Sequence, residues 1–523
     1  MKELVVHQVL ERTVATRGRE EIVSGSTRLT YEELRRRVMR LAWSLHKLGL
    51  RKGSVIGVLD VNTHRHLELH FASSMLGAVL HTINFRLPAE ALVYTMQHAE
   101  DEWVFVSPLF LDHVEPMLGS FPNWVVMDRE IPEHLKDKAT LHCYEDLIDM
   151  GQDEAPAATV AENDYYSILY TTGTTGRPKG IRYRHRDVVL GSLQLFHHLS
   201  LHTTGAAIQS TDTIMPLIPF FHIHGWGTAI FGPYLGAKLV LPERAGPAEQ
   251  AGLIREEGVT WANLVPTQLH MLLEHEPFHN LKVLTGGSPL PSGLASRADT
   301  AGIAYGLIYG GSDQLATAIS VVPEDVAPDT PEARQWLRTG MRPVPMVDVA
   351  ITDPHGARLP QDGESIGEVW VSSPWLPEGY LKNEAKSREA FSEGWFRTGD
   401  IGVLFENGLL YVMDRESDAI KSGGEWIPSG VLEAHISEHP SVETVSVIAA
   451  PDERWGERPL AIVKASGQVD ADELRQHLLD RVDQGKLAKF WVPEAFSFVQ
   501  DMPLTSAGKI DKVHLRKQFR EGS

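Results

Sequence analysis

The stretch YTTGTTGRPKG, residues 170–180, holds four threonines, three glycines and one lysine in eleven positions. Glycine lets the backbone approach a phosphate closely and turn its N–H groups inward. Threonine hydroxyls add donors, and Lys179 supplies a cation for phosphate oxygens. An apolar strand at residues 167–170 leads into it, so the stretch is a candidate phosphate-binding loop, with a polar surface turn as the alternative. Its expected phosphate contacts are Thr171, Thr172, Gly173, Thr174, Thr175, Gly176 and Lys179.

The loop differs from the Walker loop G-x-x-x-x-G-K-[ST], since Gly180 follows Lys179 where that loop has serine or threonine. Ile181, Arg182 and Tyr183 look extended, whereas a P-loop NTPase begins a helix at this point. The sequence therefore predicts a strand after the lysine and argues against an ordinary P-loop NTPase.

The residues before the loop alternate between helical and strand patterns. Thr30, followed three residues later by Glu33, forms a capping box that opens a helix, and Gly49 ends it. Next we predict a strand at residues 55–59, a helix at 64–77, a strand at 78–83, a helix at 88–99 and a strand at 103–106. Such alternation predicts an α/β fold with doubly wound, mostly parallel sheets covered by helices.

After about residue 414 the order of the elements changes. We predict a helix at residues 429–439, strands at 442–450 and 460–465, a helix at 471–482 and a strand at 496–499. This order is typical of a small α+β unit. We therefore predict a large domain over residues 1–414 and a small, mobile, lid-like domain over residues 415–523.

The composition restricts the class of protein and its partners. The 523 residues include 49 Lys and Arg against 69 Asp and Glu, a formal net charge of −20. Nucleic acids and anionic membranes require a basic face, so neither is an expected partner. The only cysteine, Cys143, excludes an intrachain disulfide. Neither a secretory signal nor a membrane-spanning run is evident, so we expect a cytoplasmic protein without an integral membrane segment.

Residues 170–180 resemble the phosphate-binding signature of the adenylate-forming superfamily, which includes acyl-CoA synthetases, luciferase-like enzymes and peptide-synthetase adenylation domains. Six further motifs of that superfamily follow in order: PFFHIHG at 219–225, GGSPL at 286–290, YGGSD at 309–313, WFRTGD at 395–400, DR at 414–415 with KSGGE at 421–425, and PLTSAGKI at 503–510. Seven collinear motifs make the resemblance specific, and it covers essentially the whole chain.

The resemblance implies an acyl-CoA synthetase that uses ATP, Mg²⁺, coenzyme A and a small-molecule carboxylic acid. Such enzymes join a carboxylate to ATP, release pyrophosphate and pass the acyl group to a thiol. Because a carboxylate must attack an anionic α-phosphate, the site must supply positive charge where charge develops. By resemblance, Lys179 holds the β- and γ-phosphates, Lys509 bridges the carboxylate and the α-phosphate, and His222 lines the acyl site near the carboxylate.

The resemblance also implies a nucleotide site and a metal site. Asp400 and Arg415 would bind the ribose hydroxyls, since a carboxylate only accepts hydrogen bonds and suits a diol. Asp313 and Thr172 would hold Mg²⁺. The superfamily usually has Glu in place of Asp313, which is shorter by one carbon, or about 1.5 Å of reach. The other nucleotide contacts implied are Gly287, Ser288, Pro289, Tyr309, Gly310, Gly311 and Ser312.

The small domain would meet coenzyme A. By resemblance, Lys421, Ser422, Gly423 and Gly424 contact the pantetheine arm after the domain rotates about a hinge near Ser417. Two half-reactions in one channel need two lid orientations, which a hinge provides. Many relatives have Asp or Lys in place of Ser417, so its hinge role is inferred from its position alone.

The acid pocket is expected around His222, Trp226 and Gly310. Its surroundings are aromatic and apolar, no Asp lies in residues 216–232, and no dedicated cation for a second carboxylate is evident. This favours a fatty or aryl monocarboxylate. Residues 76–84, LGAVLHTIN, resemble medium- and long-chain fatty acyl-CoA synthetases and methylthiopropionate ligases more than the aryl branch. Trp226 falls where some long-chain synthetases have a gating tryptophan, the alternative being a core aromatic residue.

Three alternatives stay open. The enzyme could stop at acyl-AMP or deliver it to a carrier protein or another acceptor. The chain could also be a catalytically silent member of the fold, although the intact charged residues of the site argue against that. His222 and His224, spaced as on one face of a strand, leave a shared metal ion as a less favoured alternative. A homodimer would be usual for relatives.

Overall fold

The computed structural model describes residues 3–136, 138–156, 158–171, 177–503 and 510–520. Its strands form three sheets, of fourteen, seven and five described strands. In chain order the strands are β1 (Glu21–Ser24), β2 (Thr27–Thr30), β3 (Val55–Leu59), β4 (Val79–Thr82), β5 (Trp103–Val106), β6 (Trp124–Val126), β7 (Leu141–Cys143), β8 (Tyr165–Thr171), β9 (Lys179–Arg184), β10 (Thr213–Pro216), β11 (Lys238–Leu241), β12 (Trp261–Leu264), β13 (Lys282–Gly286), β14 (Ala304–Gly311), β15 (Leu315–Ser320), β16 (Met341–Pro343), β17 (Asp348–Thr352), β18 (Gly367–Ser372), β19 (Phe391–Ser392), β20 (Trp395–Leu404), β21 (Leu410–Arg415), β22 (Ile420–Ser422), β23 (Glu425–Ile427), β24 (Val442–Asp452), β25 (Gly456–Ala465) and β26 (Ala495–Phe498).

Helices cover the sheets and connect their strands. They are α1 (His7–Arg17), α2 (Tyr31–Lys47), α3 (His64–Leu76), α4 (Ala89–Ala99), α5 (Leu111–Val114), α6 (Tyr144–Met150), α7 (His185–Leu201), α8 (Ile223–Trp226), α9 (Thr228–Leu235), α10 (Pro247–Glu257), α11 (Pro266–Leu272), α12 (Ser292–Thr300), α13 (Pro331–Thr339), α14 (Glu384–Ala390), α15 (Ser429–Ser437), α16 (Ala471–Asp483) and α17 (Lys512–Arg520). Short 3₁₀ helices lie at Pro108–Phe110, Glu115–Ser120, Glu133–Leu135, Leu273–His275 and Lys489–Trp491. No helix in the described ranges is both long enough and apolar enough to span a membrane.

The predicted capping box is present at the start of α2. The hydroxyl of Thr30 accepts the N–H of Glu33 at 3.2 Å, and the Glu33 carboxylate accepts the N–H of Thr30 at 2.8 Å. Leu34, Val38 and Leu41 then place one face of the helix in the main core. Burying that face stabilises the helix more than its intrinsic propensity does.

The seven-stranded sheet has the order β7-β6-β5-β3-β4-β8-β9. All its pairs are parallel except β8 and β9, which are antiparallel. The predicted alternation of strands and helices before the phosphate loop is therefore confirmed. The predicted strand after Lys179 is also confirmed, since β9 begins at that residue.

The fourteen-stranded sheet follows the order β17-β18-β20-β21-β16-β15-β14-β13-β12-β10-β11-β1-β2, with β19 paired to β20. From β11 through β14 the neighbours are parallel, as predicted, but β14 to β21 pair antiparallel. Residues 312–314, which connect β14 to β15, are too few for the crossover that a parallel pair requires. The sequence did not predict this antiparallel half of the sheet. It contains two of the nucleotide motifs, WFRTGD on β20 and DR at the end of β21.

The five-stranded sheet belongs to the carboxyl-terminal part of the chain. It has the order β23-β22-β25-β24, and β26 lies parallel to β25. The predicted helices and strands of this region are present as α15, β24, β25, α16 and β26. The boundary that we predict between residues 414 and 415 falls at the end of β21, in the large sheet, and β22, in this one, begins at Ile420.

Candidate active site

Both ends of the phosphate loop are held by paired strands. Thr171 is the last residue of β8, Lys179 is the first residue of β9, and the two lie opposite each other in the ladder. Thr172, Gly173, Thr174, Thr175 and Gly176 lie outside the described residues, so their phosphate contacts stay predictions. The pairing of β8 with β9 fixes the position of the Lys179 backbone relative to Thr171.

Tyr380 lies between the phosphate-loop lysine and the expected metal carboxylate. The ammonium of Lys179 is 4.0 Å from the centre of the Tyr380 ring, within the range of a cation–π interaction. The Tyr380 hydroxyl donates a hydrogen bond of 3.4 Å to Oδ2 of Asp313. A bridge between Ile181 and Tyr380 holds this segment against β9. One aromatic side chain therefore contacts both of the charged groups.

Asp313 occupies the short connection between β14 and β15. Burial raises the pKa of Asp313, and the nearby charge of Lys179 opposes that shift. Its Oδ1 is buried without a hydrogen-bond partner among the described residues, and so is Oγ1 of Thr171. A buried carboxylate oxygen left without a partner suits a hard divalent cation such as Mg²⁺. Thr172, the other expected ligand, lies outside the described residues.

Three strands of the large sheet meet at Asp400. This carboxylate is only 4% exposed, its Oδ2 accepts from the Tyr309 hydroxyl at 2.6 Å, and its Oδ1 lies 2.9 Å from Nε of Arg415. Burial raises the pKa of Asp400, while the charge of Arg415 opposes the shift. The two residues that we predicted at the ribose are thus in direct contact, and Tyr309 joins them.

The expected adenine-side and α-phosphate residues lie at the ends of β13 and β14. Gly287, with φ of +79°, Ser288 and Pro289 are exposed just after β13. A side chain at Gly310 would approach the Leu315 carbonyl to 2.1 Å, so only glycine fits there. Ser312 is fixed through its carbonyl, which accepts a hydrogen bond of 2.7 Å from the Tyr183 hydroxyl.

A cavity of about 180 Å³ opens beside these strand ends. The three residues expected in the acid pocket, His222, Trp226 and Gly310, all line it. None of the described residues that line it is a lysine, arginine, aspartate or glutamate. Helix α7 supplies a wall that the motifs do not reveal; its members, spaced as one helical face, are Val188, Gly191, Ser192 and Leu195.

Residues 223–227, which include the short element α8, form one left-handed turn rather than a right-handed helix or a strand. Their φ angles are +46°, +52°, +62°, +53° and +82°. Left-handed backbone costs about 1–2 kcal/mol for each residue other than glycine, so Ile223, His224 and Trp226 store strain. The turn places the Trp226 ring beside Gly286. A Cβ added to Gly286 would lie 3.3 Å from that ring. Strained backbone therefore shapes one side of the cavity.

The left-handed turn separates the two histidines of the H-x-H pair. His224 is buried, its Nε2 lies 3.0 Å from the Ser167 hydroxyl, and its ring lies 4.8 Å from that of His70. Burial lowers the pKa of His224 to about 3, so its imidazole is neutral near pH 7. The ring of His222 instead lies 4.4 Å from that of Phe221. The strand spacing on which a shared metal ion depends is absent.

The residues expected at the pantetheine arm lie in the lid-like domain. Lys421 and Ser422 end β22, and Gly423 and Gly424, both with positive φ, turn the chain into β23. The Lys421 ammonium lies 3.2 Å from the Glu416 carboxylate and 4.3 Å from the centre of the Trp426 ring. Their contact with coenzyme A stays a prediction.

The hinge and the terminal lysine are described only in part. The Ser417 carbonyl accepts a hydrogen bond of 3.1 Å from the Arg516 side chain on α17. Lys509 lies outside the described residues, which resume at Ile510. The hinge role of Ser417 and the bridging role of Lys509 therefore stay predictions.

Residues 10–381 match the sequence model of AMP-binding enzymes, and residues 431–509 match that of the AMP-binding enzyme C-terminal domain. The chain belongs to the AMP-binding enzyme family. Its predicted membership of the adenylate-forming superfamily is confirmed.

Relatives of this AMP-binding enzyme align over nearly their whole length. It is 38% identical to the long-chain-fatty-acid–CoA ligase of Thermus thermophilus and 34% identical to the medium-chain-fatty-acid–CoA ligase of Ectopseudomonas oleovorans, in each case over 99% of this chain and 96% of the relative. It is also 34% identical to the 3-methylmercaptopropionyl-CoA ligase of Ruegeria lacuscaerulensis, over 99% and 98%.

Solved structures confirm the fold of this AMP-binding enzyme. The anthranilate CoA ligase AuaEII in complex with anthranoyl-AMP matches with a TM-score of 0.83 at 24% identity, covering 99% of this chain and 97% of that one. ATP-bound MatB from Rhodopseudomonas palustris matches with a TM-score of 0.80 at 23% identity, covering 99% of both chains. At such identities the likeness establishes the shared fold alone.

Neither Tyr380 nor the α7 wall is part of the motifs from which we predicted the site. Tyr380 stands 67 residues after Asp313, and its contact with that residue depends on the antiparallel bridge that places Tyr380 beside Ile181 of β9. No local pattern marks such a pairing. The apolar face of α7 could have been found, because its spacing of three, four and seven residues is readable in the sequence.

Proposed function

We propose that this AMP-binding enzyme forms the CoA thioester of an apolar aliphatic monocarboxylic acid through an acyl-AMP intermediate. ATP-dependent acyl-CoA formation follows from the family and from the relatives that share it. The proposal concerns the acid and the residues that act on it. The observation that carries it is the cavity, whose described lining has no charged side chain that could bind a second polar group of the acid.

In the proposed first half-reaction, a carboxylate oxygen attacks the α-phosphorus of ATP and the bond to pyrophosphate breaks. Lys179 would balance the charge of the leaving phosphates, and Lys509 would hold the carboxylate and the α-phosphate in line. Asp313 would hold Mg²⁺, which neutralises phosphate charge when it is bound. The contact between Tyr380 and both Lys179 and Asp313 supports this arrangement, because it fixes their separation.

In the proposed second half-reaction, the thiol sulfur of coenzyme A attacks the acyl carbonyl carbon and the bond to AMP breaks. Asp400 and Arg415 would hold the ribose of the AMP through both steps. The hairpin of residues 421–424 would approach the pantetheine arm after the lid rotates near Ser417. Glu416 and Lys421 lie on either side of Ser417 along the chain, so their ion pair of 3.2 Å is a contact that the proposed rotation would change.

The size of the cavity supports an acid of medium length. A volume of about 180 Å³ holds roughly six groups the size of a water molecule, at about 30 Å³ each. A methylene group is of similar size, so about six methyl and methylene carbons fit with Trp226 in its present position, which together with the carboxyl carbon makes an acid of about seven carbons. A longer chain requires the Trp226 ring to move away from Gly286. The cytoplasmic location and the homodimer stay predictions.

A screen of acids tests this function. Purified enzyme with ATP and Mg²⁺ should release pyrophosphate with saturated C2 to C18 acids, most rapidly near C8, and should form the thioester only when coenzyme A is present. A product that is indifferent to coenzyme A would favour transfer to a carrier protein or another acceptor. A failure to exchange labelled pyrophosphate into ATP with every acid would favour a silent protein.

We expect Trp226→Ala to shift the preferred acid toward longer chains. Removing the indole opens the cavity on the side of Gly286, so kcat/KM for dodecanoate relative to octanoate should rise about 10-fold, as an extra apolar group in a fitted pocket does. Pyrophosphate exchange with both acids measures the ratio. Trp43→Ala, on α2 and outside the cavity lining, is the control; an unchanged ratio in Trp226→Ala would contradict the assignment.

A further inference from the structure

A fully buried asparagine forms a hydrogen bond with the strained left-handed turn at residues 223–227. Asn263, on β12, is 0% exposed, and its Nδ2 donates a hydrogen bond of 2.7 Å to the carbonyl of Gly225, the middle residue of the left-handed turn. Its Oδ1 accepts from the N–H groups of Leu217 and Ile218 at 3.0 and 3.2 Å. The amide of Asn263 therefore links the residues that follow β10 to the left-handed turn at residues 223–227.

A second buried asparagine braces the same loop but not the turn. Asn62, 4% exposed, donates to the carbonyls of Pro216 and Ile218, both at 2.9 Å, and accepts from the N–H of Phe220 at 2.8 Å. Asn62 therefore fixes residues 216–220, whereas Asn263 alone of the two reaches Gly225. Both residues are buried asparagines that hydrogen-bond the same loop, but only Asn263 binds the left-handed turn.

The turn has little freedom around Gly225. A Cβ at that position would approach Oγ1 of Thr228 to 2.8 Å and the Ile218 carbonyl to 3.0 Å. The Thr228 hydroxyl donates a further bond of 2.8 Å to the Gly225 carbonyl. Two buried donors therefore converge on one carbonyl in the middle of a strained segment. A polar group held in this way resists rotation of its peptide plane, because rotation would leave the donors unsatisfied.

We infer that Asn263 is a positioning residue for the acid site. By holding the Gly225 carbonyl it keeps residues 223–227 left-handed, and that conformation keeps His222 and Trp226 at the cavity wall. Without this donor the strained residues relax toward ordinary backbone and the Trp226 ring leaves Gly286. The inference rests on the proposed function, since it concerns the acid that the cavity takes.

Asn263→Ala tests the inference in pyrophosphate exchange with ATP and C6 to C16 acids. We expect the KM for octanoate to rise about 10-fold and the preferred chain length to increase, as in Trp226→Ala, while the KM for ATP stays within about twofold. This split between two substrates separates positioning of the acid site from general destabilisation, which would affect both.

Asn62→Ala is the matched control. It removes a buried amide that braces the same loop and leaves Gly225 bound, so its octanoate KM and chain-length profile should stay near wild type. If Asn263→Ala does not fold, Thr228→Val removes the other donor to the Gly225 carbonyl and should shift the profile in the same direction by less.

An active Asn263→Ala enzyme with an unchanged octanoate KM and an unchanged profile would overturn the inference and leave the proposed function intact. The same holds if Asn62→Ala reproduces its effect in full. Absence of exchange in the wild-type enzyme with every acid would instead contradict the proposed function.

Discussion

Lys509→Ala is expected to lower acyl-AMP formation about 10³-fold or more while leaving transfer from preformed acyl-AMP to coenzyme A within a few fold. A single cation placed on a transferring phosphoryl group is worth about 10³–10⁵ in rate. Lys509 carries that charge in the proposed first half-reaction, where two anions must meet. In the second half-reaction the attacked atom is a carbonyl carbon, so the same charge is not required there. Pyrophosphate exchange measures the first step, and thioester formation from synthetic acyl-AMP measures the second.

Lys517→Ala is the control for this experiment. Lys517 lies on α17, eight residues further along the chain, and should leave both half-reactions near wild type. An equal loss of both half-reactions in Lys509→Ala would contradict the bridging role, because it would point to the lid as a whole rather than to one cation. An unchanged melting temperature would confirm that the variant is folded.

The sequence correctly predicted those elements whose conformation depends on interactions between residues close together in the chain. The capping box at Thr30 and Glu33 acts within one turn of helix, and it is present as predicted. The strand after Lys179 is expected because Ile181, Arg182 and Tyr183 look extended, and β9 begins at Lys179. In both cases the interaction that decides the structure lies within a few residues of the pattern.

The left-handed turn could not be predicted in this way. Its φ angles depend on hydrogen bonds from Asn263 and on the packing of His224 against Ser167 and His70, residues that are distant in sequence. The spacing of His222 and His224 fits a strand equally well, so the pattern alone left open a strand geometry, the less favoured alternative, which the structure does not have. Strain at a site is maintained by the surrounding fold, not by the strained residues themselves.

The sequence predicted those site residues that belong to recognisable motifs. Asp400 and Arg415 come from separate motifs, and the ladder of β20 and β21 places them opposite each other. The contact of Tyr380 with Asp313 has no such signal, because it depends on a bridge between Tyr380 and Ile181 of β9, residues distant in sequence. The lid residues at 421–424 depend on a rotation, which the sequence predicts by resemblance alone.

The charge of Asp313 is expected to decide the Mg²⁺ dependence of the first half-reaction. Asp313→Asn keeps the shape of the side chain and an oxygen that can accept from Tyr380, so it removes little except the negative charge. We expect pyrophosphate exchange to fall about 10²–10³-fold, as when one electrostatic group is lost from a transition state, and the Mg²⁺ concentration for half-maximal rate to rise. Asp313→Glu restores the charge on a longer arm and should keep Mg²⁺-dependent activity.

Titration of exchange against Mg²⁺ compares these variants with Asp325→Asn, a change of the same kind at an exposed position. Wild-type Mg²⁺ dependence in Asp313→Asn would remove Asp313 from the metal site. Complete inactivity of Asp313→Glu would show a different property, namely that the short connection between β14 and β15 accepts only the shorter acid. That outcome would make Oδ1, which is buried and has no hydrogen-bond partner among the described residues, rather than the charge alone, the feature that fixes the position of the cation.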